Sequence, residues 1–201
     1  MLLPAPFVHW IARELTRRLG ASGALELKTP AVAVQAFEEI LNDALRVEEE
    51  INAEARALLN QYTDFMRQNG ITYTEMFRKV KRNILAERKI TPVAGREGDT
   101  KISREKLLEL SHEIAGRLPR LQGVRVAKGW NAVRLEIGRE LTNILAMEQK
   151  IDERARQTIQ KQKREIVEGG EEWQVLHRRY YEQEMARIGV DLRAPETPEH
   201  R

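Results

Sequence analysis

The sequence predicts an all-α protein made of two tandem copies of one small helical unit, with long helices in antiparallel packing and a pseudo-two-fold arrangement. Three observations support this prediction. Charged residues make up 32% of the 201 residues and aromatic residues only 5%, which is typical of helices that bury one stripe and solvate the rest. Apolar residues recur at spacings of three and four. Finally, the two halves of the chain align with each other.

The internal alignment keeps one offset over a long stretch. A shift of 100 positions places residues 23–90 on residues 123–190 without a gap. Upstream, the offset falls to 99, which indicates one inserted residue in a loop. An offset that persists across several helices and a shared glycine break predicts an internal duplication. Matching pairs include Gly23/Gly123, Lys28/Lys128, Leu41/Leu141, Glu48/Glu148, Ile51/Ile151, Arg56/Arg156 and Gly70/Gly170.

Each copy begins with a helix, predicted over about 5–19 in the first copy and 104–118 in the second. Ser103 is placed to cap the second of these helices at its N-terminus. Gly20 and Pro119 end the two helices, because glycine favours a helix end and proline cannot continue a helix.

A short extended segment follows the first helix of each copy, at 25–27 and 124–126. Thr29 then supplies a predicted N-cap, and Pro30 stands at the first position of the next helix, where its missing N–H costs nothing. Between Pro30 and Gly70 the sequence contains no glycine and no proline, so it predicts a long helical region.

The long regions 30–69 and 130–168 allow two interpretations. Each is one very long helix, or each is two helices that break near Glu48 and Glu148. A charged residue within the apolar stripe favours a kink at that point.

The last helix of the first copy is predicted to begin at a capping box formed by Thr72 and Glu75. Two polar segments rich in glycine or proline then divide the chain. The predicted organisation is a first helical repeat at 1–90, a linker at 91–101, a second helical repeat at 102–192 and a disordered tail at 193–201.

Composition excludes several classes of protein. The chain has no cysteine, which rules out disulfides and thiolate metal sites and suits a reducing compartment. No run of 18 apolar residues is present, so we expect no membrane span and a cytoplasmic location. The first helix has an amphipathic pattern that also suits a membrane surface; its counterpart in the second copy lacks tryptophan and favours a core position.

Parts of both copies resemble a bacterial family catalogued as domain of unknown function 507. Residues 101–114 are similar to the N-terminus of that family and residues 73–90 to its C-terminal helix, while 49–55 and 152–155 resemble its middle. The first copy lacks the Ser-x-Glu start, and the second has Arg-Arg-Tyr-Tyr where the family has lysine and isoleucine. The resemblance covers nearly the whole chain as a tandem pair. It implies a small cytoplasmic helical protein with no assigned activity and no catalytic residue.

The last helix of each copy carries the best candidate for a binding site. Basic side chains cluster there opposite an apolar face, and such clusters grip phosphates or steer acidic partners. The formal net charge is only +3, which is small for a nucleic-acid-binding protein. The candidate basic binding face consists of Arg78, Lys79, Lys81, Arg82, Arg178, Arg179 and Tyr181, the tyrosine being placed to stack on bases.

No catalytic or metal-binding motif accompanies this face. The four histidines lack partners at metal-ligand spacing and are interpreted as solvated or packed, and no phosphate loop or nucleophile elbow occurs. We therefore expect no cofactor, no metal and no enzymatic activity. The sequence favours a non-enzymatic interaction module with an unknown protein partner. An RNA-binding protein is the alternative, and an enzyme with an unrecognised site is third. The two copies form an intramolecular pseudo-dimer, and a monomeric state overall stays open.

Overall fold

A computed structural model describes residues 2–94, 100–162 and 166–193. The protein is mostly helical, which confirms the all-α class apart from two strands of three residues each. In chain order the elements are α1 (Ala5–Ala21), β1 (Leu25–Leu27), α2 (Pro30–Asn60), α3 (Thr63–Gln68), α4 (Tyr73–Arg88), α5 (Arg104–Arg117), a 3₁₀ turn (Leu118–Arg120), β2 (Val124–Val126), α6 (Trp130–Gln160) and α7 (Glu171–Arg187).

Local sequence signals set several helix ends as predicted. Thr72 and Glu75 form the capping box of α4, in which each residue's backbone N–H donates to the other's side chain. The Ser103 hydroxyl caps α5 by accepting a backbone N–H at 3.1 Å. Thr29 is the N-cap residue of α2 and Pro30 stands in its first turn, as predicted, but the Thr29 side chain makes no cap hydrogen bond. Its hydroxyl packs instead against Gly123, where an added Cβ would lie 2.6 Å from it.

The long helices α2 and α6 are unbroken at the two glutamates. Each has 31 residues and is therefore about 46 Å long at 1.5 Å per residue. Helix α2 continues through Glu48, and α6 continues through Glu148, without a break. The interpretation that favoured a break at these residues is therefore wrong. The first region is not one helix to residue 69 either, because α2 ends at Asn60 and α3 follows after a turn.

The shorter helices cover the long ones in the same way in both halves. In the first half, α1 and α4 pack on α2; in the second, α5 and α7 pack on α6. Contacts also cross between the halves, with α1 against α6 and α2 against α5. The strands β1 and β2 pair antiparallel, with Leu25 opposite Val126 and Leu27 opposite Val124. The two halves are therefore packed directly on each other.

The main hydrophobic core contains side chains from both halves. Phe7 and Phe37 of the first half and Ile114 and Ile137 of the second half are all fully buried in it. The burial of Phe7 confirms that α1 belongs to the core. No described helix is long and apolar enough to cross a membrane.

A smaller hydrophobic cluster lies between α4 and the C-terminal part of α2. We call residues 48–88 the first arm and the corresponding described residues of 148–187 the second arm. The buried residues Leu85 and Ile51 of the first arm belong to the small cluster. In contrast, Met185 and Ile151 of the second arm belong to the main core. The buried cluster of the first arm is therefore separate from the main core, whereas that of the second arm is continuous with it.

The ends of the predicted linker are bound to each other. Ala94 and Ile102 form an isolated antiparallel bridge, and the Ser103 N–H donates to the Val93 carbonyl at 2.8 Å. Val93 and Ile102 are buried in the main core. Residues 95–99 and the predicted disordered tail from 194 onwards lie outside the described residues.

Candidate functional site

Each long helix buries one glutamate against the last helix of its half. Glu48 is paired with Lys81, whereas Oε1 of Glu148 accepts a hydrogen bond from the Tyr181 hydroxyl at 2.6 Å. The Lys101 ammonium lies 2.6 Å from the same oxygen. A buried carboxylate needs such partners because removing a charge from water is costly. Oε2 of both glutamates has no hydrogen-bond partner among the described residues.

Tyr181 was predicted to belong to the basic binding face, and the structure contradicts this. Its side chain is only 8% exposed, and the Lys101 ammonium covers its ring at 4.8 Å from the centroid. Burial raises the pKa of the Tyr181 hydroxyl above its ordinary value, and the adjacent Glu148 carboxylate raises it further. The ring is therefore closed to a base, because the hydrogen bond to Glu148 holds it in the interior.

An aromatic column fills the space between α6 and α7. Trp173 stacks on His177 with centroids 4.7 Å apart, and His177 stacks on Tyr181 at 6.0 Å. The guanidinium of Arg156 lies 5.2 Å from the Trp173 ring, a cation–π arrangement. His177 is thus packed, as the sequence predicted. The column itself was not predicted, although its spacing of four residues on one helix was visible.

Asp152 supplies the negative charge beside this column. His177 Nε2 lies 2.9 Å from Asp152 Oδ1, and the Arg156 guanidinium donates to Asp152 Oδ2 at 2.7 Å. Burial alone would raise the pKa of Asp152, but the hydrogen bond and charge of Arg156, with the charge of His177, lower it below its ordinary value. Asp152 is therefore held ionised within an ion-pair network.

The first arm has a simpler version of the same arrangement. Tyr73 stacks on Phe77 with centroids 6.3 Å apart, and the Arg56 guanidinium lies 6.0 Å from the Phe77 ring. At a sequence offset of 100, Asn52 aligns with Asp152 of the second arm and Lys81 aligns with Tyr181. Both arms therefore keep a buried glutamate and an arginine over an aromatic ring, while the groups between them differ.

Removing the Tyr181 hydroxyl should destabilise the second arm. In a Tyr181→Phe variant the buried Glu148 carboxylate loses a donor, and we expect the free energy of unfolding to fall by about 1–3 kcal/mol. Tyr180→Phe is the matched control, because Tyr180 is partly exposed and its hydroxyl accepts a hydrogen bond from Gln162, not from a buried charge. Denaturant unfolding of both variants measures the difference. Equal losses in the two variants would contradict the role given to Tyr181.

Among the described residues, no group of three or more side chains drawn from histidine, aspartate and glutamate could hold a metal ion. We therefore expect prolonged chelation to leave the thermal midpoint of unfolding unchanged, since a structural metal would contribute directly to folding. Differential scanning calorimetry before and after dialysis against a chelator measures this. A clear fall in the midpoint that added metal restores would show that the chain has a metal site.

Three basic residues of the predicted face remain together in solvent. Arg78, Lys79 and Arg82 are exposed and line one surface groove with Glu75 and Asn83. Among the residues that the structure describes, none of these three cations lies in an ion pair. The fourth predicted cation of this helix, Lys81, is withdrawn to Glu48. The basic face of the first arm is therefore Arg78, Lys79 and Arg82.

The predicted basic residues of the second arm lie in a different charge environment. Arg178 and Arg179 are exposed, and Arg178 donates to Glu182 on the same helix at 3.0 Å. Helix α4 has five lysine and arginine residues against two glutamates, whereas α7 has three arginines against four glutamates. The structure therefore does not give the two arms equivalent basic faces.

Aromatic side chains are exposed at the far end of the first arm. Tyr62, Phe65 and Tyr73 are 51%, 49% and 50% exposed, and they lie in the turn after α2, in α3 and at the start of α4. Among the residues that the structure describes, no further helix covers this end of the arm.

Comparison with known proteins gives a family but no activity. The family described as "Protein of unknown function (DUF507)" matches residues 1–190. No curated protein matches the chain. Since the match spans almost the whole sequence, the chain belongs to the DUF507 family.

Proposed function

We propose that the chain consists of two diverged copies of one unit, related by a pseudo-two-fold axis. The pairing of the strands supports this, because Glu26 and Arg125 lie opposite each other and differ by the repeat offset of 99. Two flanking hydrogen bonds repeat the relation: Lys28 N–H donates to the Gly123 carbonyl at 2.8 Å, and Ala127 N–H donates to the Ala24 carbonyl at 3.0 Å. Reciprocal contacts of this kind characterise a two-fold interface.

The same contacts indicate that the inserted residue lies later in the chain than the sequence alignment placed it. The strands correspond at an offset of 99, and the long helices, which begin at Pro30 and Trp130, correspond at 100. The extra residue then belongs to the segment between β2 and α6. This correspondence pairs Ala24 with Gly123, in place of the pairing of Gly23 with Gly123 taken from identity alone.

We propose further that the protein is a non-enzymatic interaction module of the bacterial cytoplasm that binds a protein partner. The observation that carries this proposal is the surface of the first arm. Half-exposed aromatic rings lie at the end of this arm, and its α4 carries three cations that form no ion pair with any described residue. Aromatic residues and arginine are enriched at protein interfaces. The absence of cysteine suits the reducing cytoplasm.

The buried glutamates are better explained by folding than by catalysis. Glu48 and Glu148 occupy matching positions, yet one is paired with a lysine and the other with a tyrosine and a lysine. His177 of the second arm corresponds to Phe77 of the first, which has no acid–base chemistry. The feature that both arms have is a buried carboxylate paired with a lysine, and that feature serves packing.

An RNA-binding function has less support. The tyrosine expected to stack on bases is buried, and α7 carries more carboxylates than cations. We expect binding to mixed oligonucleotides to be weak at physiological salt. Fluorescence anisotropy against salt concentration measures it for the wild type and for a variant with Arg78, Lys79 and Arg82 changed to glutamate. Sub-micromolar affinity with a steep salt dependence that the variant loses would favour RNA binding instead.

A tagged pull-down analysed for protein and RNA tests the proposed function. Its variant changes Tyr62, Phe65 and Tyr73 to serine. The matched control changes Leu135 and Val175, two exposed apolar residues of the second half, to serine. We expect a protein that the wild type and the control retain and that the aromatic variant loses. Recovery of RNA alone, or the same proteins with all three baits, would contradict the proposal.

A further inference from the structure

We infer that the basic face of the first arm, Arg78, Lys79 and Arg82, binds an acidic segment of a partner protein. This inference rests on the proposed function and names the chemistry of the partner.

The three cations of the basic face form no ion pair among the described residues, although Glu75 lies in the same groove, whereas the other two cations of α4 are paired. Lys81 is bound to the buried Glu48, and Arg88 donates to Glu54 at 2.8 Å. Arg78 and Arg82 are four residues apart and therefore lie on one side of the helix. Their charges thus point into solvent together, and they can attract carboxylates that approach along the helix.

Comparison of the two arms indicates that the excess positive charge of α4 serves binding and is not needed for folding. Helix α7 packs on α6 as α4 packs on α2, yet its charge balance is reversed, with three arginines against four glutamates. Arg178, the counterpart of Arg78, is paired with Glu182. Because the same packing is maintained without excess positive charge, the cations of α4 are not needed to build an arm.

Apolar surface at the N-terminal end of the same helix lies on a different side of the helix. Tyr73 is half exposed and stacks on Phe77, but it lies about 140° around the helix from Arg78 at 100° per residue. A ligand in the groove formed by the three cations therefore binds them through its carboxylates and does not need to cover this ring.

An acidic peptide fits this surface better than a nucleic acid does. Glu75 lines the same groove as the three cations, and a phosphate backbone following the groove would meet this carboxylate. A peptide can instead place a neutral side chain at that point. Nucleic-acid binding also requires many phosphate contacts, and the face offers three cations.

The inference is tested with defined probes on the full chain. The acidic probe is a labelled helical peptide of about 20 residues, with leucines at spacings of three and four and glutamates on both sides of that stripe. The neutral probe has glutamine at each glutamate position, and the third probe is a mixed-sequence single-stranded RNA. The variant is R78Q/K79Q/R82Q, and R178Q/R179Q is the matched control on the second arm. Circular dichroism verifies that both variants keep the fold.

The wild type is expected to bind the acidic peptide at least about tenfold more tightly than the neutral peptide, a difference that corresponds to about 1.4 kcal/mol. The first variant should lose this preference and the control should keep it. The inference is overturned if both peptides bind equally or not at all, if both variants lose the preference, or if RNA binds more tightly. The proposed function is tested separately by the aromatic variant, so either can fail without the other.

Discussion

Residues 1–92 and 100–201, produced as separate chains, are expected to fold poorly alone and to recombine into a one-to-one complex when mixed. The main core draws buried side chains from both halves, and the only strand of each half pairs with the strand of the other within the described residues. Each half alone exposes its share of the core, and a unit of about 90 residues has little other buried surface to offset that loss.

Circular dichroism and analytical ultracentrifugation measure the folding and association of the two halves. We expect low helicity or self-association for each half alone, and native helicity with a single one-to-one species after mixing. Two stable monomers that do not interact would show that the halves are independent domains. Fusion in one chain replaces this encounter with a high effective concentration, which is consistent with the bridge between Ala94 and Ile102 across the linker.

Phe37→Ala is expected to destabilise the whole protein by about 3–5 kcal/mol. The ring is fully buried in the core that joins the halves, and truncation of such a residue removes its contacts and leaves a cavity. Denaturant unfolding measures the change in free energy. We expect one cooperative transition that shifts for both halves together, because both contribute to this core.

Leu85→Ala should act differently, because Leu85 belongs to the small cluster of the first arm. We expect faster amide hydrogen exchange in α4 and little change in α1 and α5, the behaviour of a locally unfolding unit. Met185→Ala is the matched variant in the second arm, and its effect should extend into the main core, to which Met185 belongs. If Leu85→Ala accelerated amide hydrogen exchange equally in α4, α1 and α5, the first arm would not be separate from the core.

Much of the helical architecture follows from local sequence, and the structure confirms it where the deciding interactions are local. The capping box of Thr72 and Glu75 and the cap at Ser103 involve residues three positions apart, so their chemistry is visible in sequence. Thr29 occupies the predicted N-cap position, but its hydroxyl lies against Gly123 of the other half and makes no cap hydrogen bond. The pairing of β1 with β2 likewise joins residues about 100 positions apart, and no local pattern specifies it.

The candidate site was only partly predictable for the same reason. A glutamate in an apolar stripe suggested a break in the helix, but Glu48 and Glu148 are accommodated because Lys81 and Tyr181 reach them from another helix. The basic residues of α4 were identified from their density. The pairing with the buried glutamates decides which residues face solvent. It withdraws Lys81 and Tyr181 from the surface, while Arg78, Lys79 and Arg82 stay exposed.

Photo-crosslinking in living cells tests most directly whether the first arm is the interaction surface. A photoreactive amino acid is placed at Tyr73 on the first arm or at Val175, an exposed position on α7, and the adducts are identified by mass spectrometry. The account predicts discrete protein adducts from position 73 that are absent from position 175 and that decrease in the R78Q/K79Q/R82Q background. Equal adducts from both positions, adducts with nucleic acid only, or none from position 73 would contradict it.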